Sequence, residues 1–253
     1  MDLIEATRSS DATEVGRLLA GGAAVDAADA GGRTALWWAS SRGHTDVVRS
    51  LLAAGASPLS PTGGSLPPHM AAAAGELPVV RLLLEVAPAA ALAPTDAGFL
   101  PLHCAVLFNN CACVQQLLQA APATAVAADN NGNTALHFAT ESCAAAAQHL
   151  VAAAPQAATV HNAAGRTPLQ VVLQRVEHPV PGRSPADYVA TARAILPAVP
   201  RDDALAQLPA GGPLVQPLYA DLTTAGPLTQ QQWQRVPAPC AGLIAALPAV
   251  LAR

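Results

Sequence analysis

Hydrophobic positions along the chain recur as a couplet followed by a pair. A leucine or proline is followed three residues later by an alanine or valine: Leu36 and Ala39, Pro68 and Ala71, Leu102 and Ala105, Leu136 and Ala139, Leu169 and Val172. About fifteen residues beyond each of the first four couplets comes an apolar pair, Leu51-Leu52, Leu83-Leu84, Leu117-Leu118 and Leu150-Val151. Leu3 with Leu18-Leu19 gives the same spacing at the N-terminus. Apolar residues three or four apart share one face of a helix. Each unit is therefore expected to hold two short helices, the second packing its paired apolar residues onto the first.

The couplet lies inside a recurring string. TALWWA at 34–39 returns as LPPHMA at 66–71, LPLHCA at 100–105, TALHFA at 134–139 and TPLQVV at 167–172. The steps between starts are 32, 34, 34 and 33 residues, and one more step back places a degenerate first start at Met1. A threonine in the leading position caps the helix by accepting a backbone N–H, and proline suits the first helical position. Gly43 and Gly75, with Asn109 as a substitute, are placed to end the first helix in a left-handed conformation. Two residues before each later start stands a glycine (Gly32, Gly64, Gly98, Gly132, Gly165), where the loop must reverse. Gly98 and Gly132 are thus expected at positive φ.

These marks resemble the ankyrin repeat, a ~33-residue unit built around T-P-L-H-x-A. The resemblance covers residues 1–178, with starts near 1, 34, 66, 100, 134 and 167. It implies an all-α solenoid of stacked helix-turn-helix units, since one unit cannot bury its apolar face alone. It implies a protein-binding scaffold or adaptor whose partner lies on a concave side of loop tips and first helices. Transferred to this chain, that side names Arg33, Trp37, Arg42, Asp96, Phe99, Phe108, Asn130, Asn131, Asn133 and Arg166. Ala30, Ser41, Leu107, Glu141, Ser142, Gln174 and Arg175 fall on the same slots, and the third repeat offers small residues, Thr62, Gly63, Ser65, Ala73 and Ala74. Phe99 and Phe108 are expected either to form an apolar patch rimmed by Asp96, Asn131 and Asn133 or to fold back, one or both, onto the neighbouring repeat. His69, His103 and His137 recur every 34 residues, which suits a structural bond to neighbouring backbone and not catalysis. Trp37 stands in the histidine slot, where an indole donates but cannot accept. It is expected to be partly exposed, and Trp38, in the apolar slot that follows, to be buried.

Several stretches depart from the pattern. Pro68 replaces the central leucine of the third repeat, which predicts a weaker first helix there. The fifth repeat is one residue short between its helices, at 140–143. In the sixth, the second helix is delayed to about 187–196, behind an insertion. From 179 onward the chain is a Pro-rich, partly helical C-terminal extension, with short helices expected at 229–236 and in the apolar run 240–252. Because the chain stops within that run, it reads as a possible piece of a longer protein, and a regulatory or targeting segment of a larger enzyme is the alternative function.

Composition narrows the function further. The chain is 52% apolar, 12% charged and 3% aromatic, and about a quarter of it is alanine, the best helix former. All 13 basic residues are arginine, and the formal charge is −4, which opposes phosphate binding and so a nucleic-acid partner. No basic n-region precedes an apolar one, and no uninterrupted run is long enough to cross a membrane. A monomer in the cytoplasm or nucleus, not secreted, is expected. Five cysteines, at 104, 111, 113, 143 and 240, form no CxxC pair, and a disulfide framework is not expected. Cys104 and Cys113 fall on core slots, so a zinc site with His103 is not expected, and no cofactor is. Asp202-Asp203 is read as a helix cap, not an acid–base pair. No phosphate loop or hydrolase motif occurs, and the chain is read as not an enzyme.

Overall fold

The structure is a computed structural model describing residues 2–59, 64–139, 144–178 and 184–208, with 218, 220–222, 229 and 231–232 beyond them. Thr62, Gly63, Glu141, Ser142, the short link at 140–143 and the run 240–252 lie outside the described residues, as does most of 229–236. The helices are α1 (Leu3–Arg8), α2 (Ala12–Ala20), α3 (Ala35–Arg42), α4 (Thr45–Ala53), α5 (Pro67–Ala74), α6 (Leu77–Val86), α7 (Pro101–Leu107), α8 (Cys111–Ala120), α9 (Ala135–Phe138), α10 (Ala144–Ala153), α11 (Pro168–Glu177), α12 (Pro185–Ile195) and α13 (Arg201–Gln207). The fold is an all-α repeat array. Isolated antiparallel bridges, Ala28 to Thr34 and Ala128 to Thr134, close two of its loops.

The chain divides into two compact units, Met1–Ala135 and Leu136–Arg253. In the first unit the first helices α1, α3, α5 and α7 pack side by side in order. The second helices α2, α4, α6 and α8 do the same behind them. The seam between the layers holds the couplets: Leu36, Ala39, Ala71, Leu102 and Ala105 are fully buried, as are Leu51 and Leu83 from the pairs. In the second unit α12 packs on both α10 and α11, around Ala147, Leu150, Val172 and Ile195.

Local chemistry sets the helix ends. Thr34 accepts from Trp37 N at 3.2 Å, and Thr167 from Gln170 N at 3.3 Å. Gly43 (φ 69°), Gly75 (φ 79°) and Asn109 (φ 61°) end or follow first helices in the left-handed region. Gly98 (φ 81°) and Gly132 (φ 73°) take the expected positive φ in the loops. The third repeat corrects the expectation of a weakened helix. Pro67 and Pro68 occupy the first two positions of α5, where no intrahelical N–H bond is required, and α5 is as long as α3, 8 residues. Both prolines are buried, so Pro68 fills the leucine slot. Asp202 and Asp203 also differ from expectation. Pro200 is the cap of α13, and the two carboxylates lie in its first turn, where the helix dipole favours them.

One feature recurs without having been expected. After α6, α8 and α10 the chain makes a short 3₁₀ turn led by proline, at Pro88–Leu92, Pro122–Val126 and Pro155–Thr159. Each tucks a small residue pair inside: Ala90 and Ala91, Thr124 and Ala125, Ala157 and Ala158.

Candidate partner-binding surface

Among the described residues, the loops that lead into α3, α7, α9 and α11 are each closed by one side chain. Asp29 Oδ1 accepts from the backbone N–H of Gly31 (2.8 Å) and Arg33 (3.0 Å). Asp129 does the same for Asn131 and Asn133, both at 2.8 Å, and Asn162 for Ala164 and Arg166, both at 3.0 Å. Thr95 accepts from Phe99 N at 3.1 Å. The 33–34-residue spacing of Thr95, Asp129 and Asn162 is visible in the sequence, and that periodic polar position ahead of the glycine is the signal for these anchors.

Ties between repeats use the histidine slot. His69 Nε2 meets Phe99 O at 2.8 Å, His103 Nε2 meets Ala127 O at 3.1 Å, and His137 Nε2 meets Arg166 O at 3.0 Å. A carbonyl only accepts, so Nε2 carries the proton in each. His103 Nδ1 in turn accepts from Leu100 N at 2.9 Å. Burial lowers the pKa of His69, which keeps it neutral. Trp37 makes the same forward bond, from Nε1 to Ser65 O at 2.9 Å. The residues capping second helices supply a further tie. His44 Nδ1 reaches Thr7 O at 2.9 Å, and Asn110 Nδ2 reaches Ala72 O and Ala73 O at 2.8 Å each. A Cβ on Gly75 would come within 2.7 Å of Asn110 Oδ1, so that glycine also makes room for the next repeat.

At the start of the first unit the surface is aromatic and cationic. Trp37 and Trp38 meet edge to face at 5.0 Å. The guanidinium carbons of Arg33, Arg8 and Arg42 lie 4.5, 4.8 and 5.4 Å from the Trp38 ring centre. Trp38 Nε1 donates to Asp29 Oδ2 at 3.0 Å, and Arg33 Nε donates to the same oxygen at 3.1 Å. Those bonds, led by the backbone N–H of Arg33, hold the Asp29 carboxyl down at about 2. Trp38 is therefore half-buried, not buried as expected. Met70, Cys104, Phe138 and Val171 occupy the same slot and are half-buried too. The slot is only partly covered, so the expectation of a core position for Cys104 is corrected with it. Trp38 is a surface group for that reason, and Arg8 stands in the first repeat on the slot of Ser41 and Leu107. Cys113 is buried as expected, and burial pushes both thiols up to about 11.

The remaining surface residues divide by what they touch. Arg42, exposed, donates from Nη1 to Arg8 O at 3.0 Å. Asn130 is committed to the preceding loop: its Nδ2 donates to Asp96 O at 2.9 Å and its N to Ala97 O at 3.1 Å. Asn133, half-buried, turns its amide to Asp129 Oδ2 at 3.3 Å. Asp96 and Asn131 are exposed. Phe99 is half-buried with its ring edge-on to His103 at 5.8 Å, whereas Phe108, capping α7, is 59% exposed. In the second unit Arg166 is exposed and bonded to the Gln174 side chain.

Stacked helix pairs tied by a recurring histidine define a repeat protein. Residues 31–63 match the ankyrin repeat and residues 59–125 match ankyrin repeats in three copies, and these matches support an ankyrin-repeat protein. Ankyrin repeats generally mediate protein–protein interaction. No curated protein matches the chain. Among the described residues no helix is long and apolar enough to cross a membrane.

Proposed function

We propose that this chain is a protein-binding adaptor, without catalytic activity, whose partner seats on the loop tips and first helices. The observation that carries this reading is Phe108, a bulky apolar side chain 59% exposed at the end of α7. Exposing such a ring to water is unfavourable, and a central aromatic with a polar rim is the common anatomy of a binding hot spot. Phe99 lies in the loop before the same helix, and Asp96, Asn130, Asn131 and Asn133 supply the rim. Arg33, Trp37 and Arg42 extend the surface toward the first repeat, and Arg166 is the candidate on the second unit. Residues 1–178 form the repeat region in this reading, with α12 serving as the delayed second helix of the sixth repeat; its packing on α11 supports that role. The net charge of −4 favours a protein partner over nucleic acid. The adaptor works as a monomer in the cytoplasm or nucleus.

Affinity capture from the native cells, read by mass spectrometry, tests the reading. The main partner should be retained by the native chain and lost with Phe99→Ala and Phe108→Ala together. The helical spectrum and melt should change little. A partner held equally well by the double variant removes this patch as the site.

A further inference from the structure

We propose that the cluster of Arg8, Arg33 and Arg42 around Trp38 receives a carboxylate-rich segment of the partner protein. This rests on the adaptor reading and adds the chemistry of what is bound. Arg8 ends α1, Arg42 ends α3, and Arg33 stands in the loop before α3, so three elements converge on one indole. Asp29 is the carboxylate held against them, and its capacity is spent. Its two oxygens take the N–H of Gly31 and Arg33, the Trp38 indole and Arg33 Nε. It offsets one guanidinium of three. Among the described residues no carboxylate pairs with Arg8 or Arg42, and both are exposed. A surplus of two positive charges therefore collects at one place on a chain whose net charge is −4.

Stacking against the indole restrains the guanidinium planes while leaving most of their N–H groups toward water. Restrained forks lose less freedom when they bond a carboxylate, and such charge-assisted, two-pronged bonds are the strong ones. The partly exposed faces of Trp37 and Trp38 offer apolar contact beside them. The fitting occupant is a peptide stretch carrying several Asp or Glu side chains.

The test uses the full chain with Trp233→Phe, so that Trp37 and Trp38 are the only tryptophans to emit. Octaglutamate should shift their fluorescence saturably, more weakly as salt rises, and octaglutamine should not. Arg8→Gln with Arg42→Gln should weaken octaglutamate binding by about tenfold or more. Arg17→Gln with Arg49→Gln removes the same charge from α2 and α4 and should change it by less than about twofold. Arg8→Lys with Arg42→Lys keeps charge and stem but not the fork, and should also weaken binding, which covers the case in which the glutamine pair does not fold. Absence of saturable octaglutamate binding, equal loss in both glutamine pairs, or binding of a phosphoserine peptide without octaglutamate overturns the proposal. If partner capture survives the Arg8 and Arg42 substitutions but not Phe108→Ala, this inference falls and the adaptor reading stands.

Discussion

The Trp37 indole donates to the carbonyl of Ser65 across 2.9 Å, the bond that His69 makes to Phe99 one repeat later. The tie between repeats therefore survives the loss of the histidine. What the indole lacks is the acceptor: His103 takes a backbone N–H on Nδ1, and Trp37 has no such atom. Trp37→Phe keeps the ring and removes the donor, leaving Ser65 O without it. It should cost about 1 kcal/mol in urea unfolding. Trp37→His restores both halves of the bond and should be more stable than Trp37→Phe. Equal stability of the native chain and Trp37→Phe would show the bond to be idle.

A glycine at positive φ can be needed for its backbone alone or also for its missing side chain. Gly55 (φ 89°) has open space where a Cβ would stand. Gly98 (φ 81°) does not: a Cβ there would lie 2.6 Å from Asn130 Oδ1 and 2.8 Å from Asn130 N. Gly55→Ala should cost about 1–2 kcal/mol from conformation. Gly98→Ala should cost more, because the next loop must move. Thermal melts that rank the two in the opposite order would remove the loop–loop contact as the reason.

What the sequence disclosed was what is local or strictly periodic. The Thr34 and Thr167 caps, the left-handed Gly43, Gly75 and Asn109, and the buried couplets depend on residues within one turn or one stripe. What it did not disclose depends on the stack. The carbonyls that Asn110 reaches lie 37 and 38 residues back, and nothing in the local string points to them. The half-burial of Trp38 is not legible, because a 3.6-residue stripe says which residues face inward but not how fully each is covered; its slot is half-buried in all five later repeats. Pro68 was misjudged because its cost depends on helix position, and the helix begins one residue before it. On the surface, the slots of Phe108 and Arg8 and the register of Asp29 are legible, while the meeting of three guanidinium groups and Asp29 at Trp38 emerges only from three-dimensional packing.

Ser40 is fully buried in α3, and among the described residues its hydroxyl has no hydrogen-bond partner. The equivalent positions one and two repeats on are Ala72 and Val106, both fully buried. An unsatisfied buried hydroxyl costs stability that an apolar group of similar size does not. Ser40→Ala should raise stability by up to about 1 kcal/mol in urea unfolding. A loss of that size would reveal a bond formed by the hydroxyl in solution.

Thiol accessibility follows burial. Cys104 and Cys113 are held up to about 11, whereas Cys111 is half-exposed at the first position of α8. The thiolate is the reactive form, so at pH 8 a maleimide should label Cys111 well before the other two. Peptide mapping after short exposure checks this. Early modification of Cys113 would mean that α8 opens readily.

Asp29 gives the surface its own acid limit. Its carboxyl is lowered from 3.8 to about 2 by the Arg33 N–H and then by Trp38 and Gly31, so the unfolded chain takes up this proton first. The stabilisation is complete above pH 3.8 and is lost as pH falls from 3.8 toward 2. Asp29→Asn isolates the charge, because Asn162 shows that an amide oxygen closes the same loop through two backbone N–H groups. At pH 6 the variant should melt lower than the native chain. The gap should narrow between pH 4 and pH 2 and close at the acid end. In the Trp233→Phe background, Trp38 emission should change over the same interval in the native chain and stay level in Asp29→Asn. Parallel acid profiles for the two would show that Asp29 carries no charge-dependent bond to the cluster.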